Sequence, residues 1–99
     1  MNRSQPSAST LDLASLLESW QVHLRAERKS PNTISIYSTA VRQFLAWAKR
    51  NDRPAVLDRA TVNAFVANLL ERGAEPMTAL NRQFSLRRFS AWLREEDEI

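Results

Sequence analysis

Apolar side chains recur at intervals of three and four residues along four stretches of the chain, the spacing of one face of an α-helix. These stretches predict helices over about 11–28, 31–50, 58–72 and 77–94. The chain has one glycine and no short alternating runs separated by turn glycines, so a sheet is not expected. We therefore predict an all-α fold, a compact four-helix bundle.

Each predicted helix has one face that we expect to be buried. The residues of these faces are Leu13, Leu16, Leu17, Trp20 and Leu24 in the first helix; Ile34, Tyr37, Val41, Phe44, Leu45 and Ala48 in the second; Val62, Phe65, Val66, Leu69 and Leu70 in the third; and Leu86, Phe89 and Leu93 in the fourth.

Polar residues that start and stop helices separate these stretches. Thr10, Ser30 and Asp58 are the predicted N-caps of the first three helices, because short polar side chains accept hydrogen bonds from first-turn N–H groups. Asn51 and Gly73 are suited to the left-handed conformation that ends a helix. The second and third predicted helices therefore have local signals at both ends as well as an apolar face.

Length and composition limit the chemistry that the chain supports. Its 99 residues suit one domain. Cysteine is absent and His23 is the one histidine, which excludes disulfides, thiolate metal sites and histidine clusters, so no metal or cofactor is expected. His23 itself is expected to be an exposed helix residue. No apolar run approaches the roughly 20 residues of a membrane span. The Ser-rich start, residues 1–10, lacks a signal-peptide pattern and is expected to be disordered, and the protein is expected to be cytoplasmic.

The charge is unevenly distributed along the chain. The net charge is +3, from 14 basic and 11 acidic residues. Four of the acidic residues lie at 95–98, and all the basic side chains precede this acidic end. A basic body favours a polyanionic partner, because Lys and Arg release the counterions condensed on phosphates.

The second predicted helix has an unusual polar face. No Asp or Glu lies between Lys29 and Arg50, whereas an ordinary solvated face mixes charges of both signs. Short hydroxyl and amide side chains let a helix approach a phosphate backbone closely and donate hydrogen bonds to it. This face is therefore a candidate DNA contact, although an exposed face that happens to lack acids remains the alternative. Its members are Asn32, Ser35, Ile36, Thr39, Arg42 and Gln43.

The fourth predicted helix is apolar on two sides. Leu80 and Phe84 lie away from its core stripe, which favours a central helix buried on both sides over a surface that docks a partner. Residues 76–94 contain no acid, as in the second helix. The three tryptophans fall at or beside core stripes, so packing is expected for them rather than stacking on nucleic-acid bases: Trp20, Trp47 and Trp92.

Two segments carry a family resemblance. Residues 30–48, SPNTISIYSTAVRQFLAWA, resemble the second helix of the core-binding domain of tyrosine recombinases, the phage-type integrases, in their Ser-x-x-Thr opening, the Tyr four residues later and the closing Phe-Leu. Residues 78–99, TALNRQFSLRRFSAWLREEDEI, resemble its fourth helix, with Leu-Arg-Arg-Phe and an aromatic-Leu end. LLESWQVHLRAERKS and LDRATVNAFVANLLERG fit the first and third helices, so the resemblance covers about residues 11–99.

The resemblance implies a fold and a function. The family's domain is a SAM-like bundle that forms one half of a clamp around duplex DNA at the crossover site, for DNA integration and recombination. The nucleophilic Tyr of that family belongs to a C-terminal catalytic domain, so residues 11–94 would be a DNA-binding domain without catalytic machinery and 95–99 the start of a linker. Tyr37 lies in a core stripe and does not match that nucleophile. The implied partners are double-stranded DNA, the catalytic domain of the same full-length chain and other recombinase protomers on DNA.

The family's contacts with DNA come from its second and fourth helices. The resemblance therefore implies DNA contacts at the matching positions of this chain, together with the basic residue just before the second helix. These residues are Lys29, Ser30, Asn32, Thr33, Ser35, Thr39, Arg42, Thr78, Asn81, Arg82 and Arg88.

Two other classes of function compete with DNA binding. A SAM-like or death-type protein-interaction module has a similar size, and the Leu80/Phe84 side would supply its docking patch, but that function does not explain the acid-free second helix. A stand-alone enzyme lacks any catalytic constellation in this sequence.

Overall fold

A computed structural model describes residues 12–99, and the segment 1–10 that we expect to be disordered lies outside the described residues. It contains four helices: α1 (Leu13–Ala26), α2 (Pro31–Arg50), α3 (Arg59–Glu71) and α4 (Pro76–Glu95). The all-α prediction is confirmed, and the second helix has the predicted bounds. The bundle is flat, 45 × 35 × 18 Å, with α2 packed on α4, α1 on α2, and α3 mainly on α4.

Side-chain caps start the first three helices. Ser30 and Asp58 are confirmed as N-caps, accepting from the N–H groups of Thr33 at 3.1 Å and Thr61 at 2.8 Å. The predicted cap of α1 is wrong, because Asp12 occupies that position and α1 begins at Leu13. The two carboxylate oxygens of Asp12 accept from the N–H and the hydroxyl of Ser15, which satisfies a first-turn donor of α1, and Thr10 lies outside the described residues.

All four helices end in the same way. A residue in the left-handed region follows each helix, and the next N–H bonds back to a carbonyl five residues earlier, as Lys29 does to Leu24 at 3.0 Å. The expectation for Gly73 is confirmed by its φ of 96°. The expectation for Asn51 is wrong: its φ is −100°, and Asp52 takes the left-handed conformation at 52°. The left-handed residues are Arg28, Asp52, Gly73 and Asp97.

Trp20 of α1 connects the two central helices. Its ring is nearly parallel to that of Tyr37 in α2, with centroids 5.3 Å apart and an interplanar angle of 3°. On α4 it meets Phe89 at 4.9 Å. Trp20 is 2 % exposed and Phe89 fully buried. Such aromatic pairs add stabilisation beyond the area they bury, so α1 is held against α2 and α4 together.

A second aromatic cluster attaches α3. Phe44 and Trp47 of α2 each approach Phe65 of α3, with ring centroids 5.6 Å apart in both pairs. The guanidinium of Arg53 covers the Trp47 ring at 5.0 Å. The core positions predicted for Trp20, Trp47 and Trp92 are therefore confirmed, since all three are at least nine-tenths buried.

Three apolar side chains that we predicted to be buried are exposed in the structure. Leu70, expected in the core, is 46 % exposed, because the face that α3 presents to α4 is narrower than its apolar stripe. Leu80 and Phe84 are also about half exposed, at 55 % and 52 %, so the expectation of a helix buried on both sides is wrong for α4. The buried stripe of α4 is the predicted one, Leu86, Phe89 and Leu93, all fully buried.

We expect the Asp58 cap to control part of the acid stability. Its hydrogen bonds from the backbone and then the side chain of Thr61 lower the pKa of this carboxyl below its ordinary 3.8. The contribution is therefore complete above about pH 4 and disappears as pH falls through the lower, folded-state pKa. Asp58→Ala should lower the free energy of unfolding at pH 7 by about 1 kcal/mol in urea titrations.

Asp58→Asn is the matched control. Asn caps as well as Asp at neutral pH but does not titrate. It should match the parent at pH 7 and lose less stability between pH 4 and pH 2. Equal acid sensitivity in the two proteins would contradict this role of the carboxylate.

Candidate nucleic-acid interface

The start of α2 is a tightly capped helix end. The Ser30 hydroxyl accepts from the Thr33 N–H and donates to the Thr33 hydroxyl at 3.0 Å. Pro31 has no N–H, and the Ile34 N–H bonds to the Ser30 carbonyl. Of the first-turn N–H groups, that of Asn32 is thus the one left for a ligand. The positive end of the helix dipole remains at this point.

A groove between α1 and α2 collects three of the predicted contact residues. Lys29, Ser35 and Arg42 line this space of about 590 Å³. On its α1 side the Gln21 amide donates to the buried Ser38 hydroxyl at 2.8 Å, a direct polar contact between the two helices. We call this space the basic groove; its lining residues are Gln21, Arg25, Lys29, Pro31, Ile34, Ser35, Ser38 and Arg42.

Arg25 is a member of the basic groove that sequence reasoning missed. It is exposed near the end of α1 and shares the groove with Lys29 and Arg42. No acidic residue lines the groove. Three cations around an open space without a carboxylate suit a polyanion, because nothing in the groove neutralises them. The signal in the sequence was weak, since only the packing of α1 on α2 brings Arg25 to this side.

Lys29 also borders a crevice between α1 and α4. Tyr37 and Arg88 line the same crevice, of about 200 Å³. Because Lys29 lines both spaces, the crevice adjoins the basic groove at this residue. The Arg88 guanidinium lies 5.8 Å from the centroid of the exposed Phe84 ring. Glu27 and Glu95 are also in this crevice, so its charge is mixed, unlike that of the groove.

The contacts predicted from the first half of α4 lie elsewhere. The Arg82 side chain is half-buried, and its Nε–H donates to the Gln43 amide oxygen of α2 at 2.8 Å. Asn81 is exposed, whereas Thr78 and, on α2, Thr39 are half-buried. None of Thr39, Thr78, Asn81 or Arg82 lines the basic groove. The structure therefore groups Lys29, Ser35 and Arg42 in the basic groove and leaves these four residues on other parts of the surface.

Comparison with known protein families gives one match. The family described as "Phage integrase, N-terminal SAM-like domain" matches residues 16–97. The chain belongs to this family. No curated protein and no solved structure matches it.

As a phage-integrase SAM-like domain, the chain has the predicted fold. The family match confirms the resemblance, and the four helices in the predicted order confirm the fold class. Tyr37 is half-buried between Trp20 and Phe84, as its place in the core stripe predicted.

His23 is less exposed than we expected. Its ring is half-buried 5.6 Å from the Trp92 ring, and its Nε2 lies 3.4 Å from a carboxylate oxygen of Glu27. Within residues 12–99, no group of three or more His, Cys, Asp or Glu side chains is arranged to hold a metal ion. No helix in that part of the chain has the length and apolar character needed to cross a membrane.

Proposed function

We propose that this domain binds double-stranded DNA through the basic groove and the adjoining start of α2. The observation that carries the proposal is the convergence of Arg25, Lys29 and Arg42 on one open groove without a carboxylate. Phosphate is the dominant source of protein–DNA affinity, and Lys and Arg gain that affinity by releasing counterions. The predicted contacts Ser35, Asn32 and Ser30 lie on or beside this surface.

The chemistry of the groove favours contacts with the DNA backbone. Its cations are joined by hydroxyl and amide groups that donate to phosphate oxygens and carry no base code. We therefore propose weak binding with little sequence preference, with a dissociation constant on the order of 10⁻⁴–10⁻⁶ M at physiological salt. Arg88 extends the surface past Lys29, and the predicted contacts Thr39, Thr78, Asn81 and Arg82 would add a separate, peripheral contribution.

The role in recombination rests on the family. We propose that the domain clamps the crossover site together with a C-terminal catalytic domain of the full-length recombinase and acts beside other protomers on DNA. In this role the domain positions DNA and contributes no catalytic side chain.

Removing one cation of the basic groove should have a measurable salt signature. Arg25→Ala and Arg42→Ala should each weaken binding to a random duplex and lower the slope of log affinity against log salt by about one. Both side chains are exposed, so the melting temperature should stay near that of the parent. Fluorescence anisotropy with a labelled duplex at several salt concentrations measures the slope.

Arg59→Ala is the matched control for these variants. Arg59 is exposed at the start of α3 and does not line the basic groove. It should keep the parent's salt slope. Salt-independent binding by the parent, or an equal loss in Arg59→Ala, would contradict the assignment of the groove.

A negative charge at the start of α2 should separate folding from binding. In Thr33→Glu the carboxylate can accept from the Ser30 N–H in a capping box and favours the helix dipole by roughly 0.3–1 kcal/mol. Folding should be unharmed or improved, while the charge repels phosphate beside the groove. The melting temperature of Thr33→Glu should therefore equal or exceed that of the parent, while its affinity for duplex DNA should fall. Thermal melting and duplex titration of the same protein measure the two effects.

Thr33→Gln supplies the neutral comparison. Its amide offers the same capping geometry without the charge, so it should bind DNA nearly as well as the parent. Binding by Thr33→Glu at the parent's affinity would show that this helix end does not face the duplex.

A further inference from the structure

The outward side of α4 carries a regular seam that the DNA proposal does not use. Its positions recur at alternating spacings of three and four residues, the pattern of a helix that pairs with another helix. Three exposed apolar side chains begin it: Met77 at 65 %, Leu80 at 55 % and Phe84 at 52 %. We call this the outer seam; its members are Met77, Leu80, Phe84, Arg87, Ala91 and Arg94.

The second half of the outer seam is basic. Arg87 and Arg94 are exposed, and both also line a groove of about 410 Å³ between α3 and α4. Arg59 adds a third cation to that groove, whose lining also includes the apolar side chains of Val62 and Leu86. The one acid lining it, Asp58, accepts the capping hydrogen bond from Thr61.

Neither DNA nor a second copy of this chain matches the outer seam. Phosphates offer no apolar partner for Met77, Leu80 and Phe84. A parallel pair of copies would set Arg87 and Arg94 each against its own counterpart, at a cost from like charges. An antiparallel pair would oppose these arginines to the apolar Phe84 and Met77. In neither arrangement does a carboxylate of the second copy's seam face Arg87 or Arg94.

We propose that the outer seam docks an acidic amphipathic helix of another protein segment. The partner helix would place apolar side chains against Met77, Leu80 and Phe84, and carboxylates against Arg87 and Arg94. Apolar contact supplies affinity, and the charges select partner and direction. This surface goes beyond the DNA-binding proposal, since none of its residues lines the basic groove.

The test uses the 99-residue chain and two labelled helical peptides of about three heptads. Both have leucine at the positions that meet Met77, Leu80 and Phe84. One has glutamate and the other lysine at the positions that meet Arg87 and Arg94. In fluorescence anisotropy the glutamate peptide should bind at least about tenfold more tightly than the lysine peptide, a difference of about 1.4 kcal/mol.

Variants of the chain locate the binding. The double variant Leu80→Ser/Phe84→Ser should bind the glutamate peptide at least about tenfold more weakly than the parent does. Arg87→Glu with Arg94→Glu should reverse the preference, so that the lysine peptide binds better. Val22→Ser is the matched control, because Val22 is an equally exposed apolar residue on α1, at 57 %, and its replacement should change nothing.

Several outcomes would overturn the proposal. Equal binding of the two peptides, or no reversal in the double glutamate variant, would show that charge does not select the partner. Sedimentation that shows a dimer abolished by Leu80→Ser with Phe84→Ser would assign the seam to a second copy. Duplex DNA that displaces the peptide would assign it to DNA. The Arg25→Ala/Arg42→Ala protein should still bind the glutamate peptide, which separates this proposal from DNA binding.

Discussion

The contact of Trp20 with Tyr37 and Phe89 holds α1 against the two central helices, and the basic groove depends on it. The Trp20 ring lies 5.3 Å from Tyr37 on α2 and 4.9 Å from Phe89 on α4, so one side chain of α1 contacts both helices. With the core side of α2 fixed by these rings, its short polar side chains face outward. The same contact places the end of α1, with Arg25, beside the start of α2. The basic groove is therefore a consequence of core packing and not of local helix structure.

Local signals in the sequence were sufficient for most of the fold. The start of α2 follows from Ser30 ahead of Pro31, and the start of α3 follows from Asp58, because each cap accepts from an N–H group three residues away. Errors arose where two neighbouring residues compete for one role. Asp12 replaced Thr10 as a cap, and Asp52 replaced Asn51 as the left-handed residue.

Tertiary contacts decided what periodicity alone did not. An apolar stripe shows that a side of a helix is water-avoiding but not whether a neighbour covers it, so the exposure of Leu70, Leu80 and Phe84 was not foreseen. The same limit hid Arg25, which joins Arg42 only through the packing of α1 on α2. The acid-free run of α2 is visible along the chain, and two residues of its polar face, Ser35 and Arg42, line the basic groove.

The domain presents two surfaces with different chemistry, a cationic groove that we propose for phosphate and an apolar and basic seam that we propose for a helix. Titrating the isotopically labelled chain with a random-sequence duplex at low salt, and following each backbone amide by NMR, tests the central assignment most directly. The account predicts that the largest shifts fall on Arg25, residues 29–35 and Arg42, and that they diminish as salt is added. Shifts confined to α3 or to the outer seam, or no shifts at low salt, would contradict it.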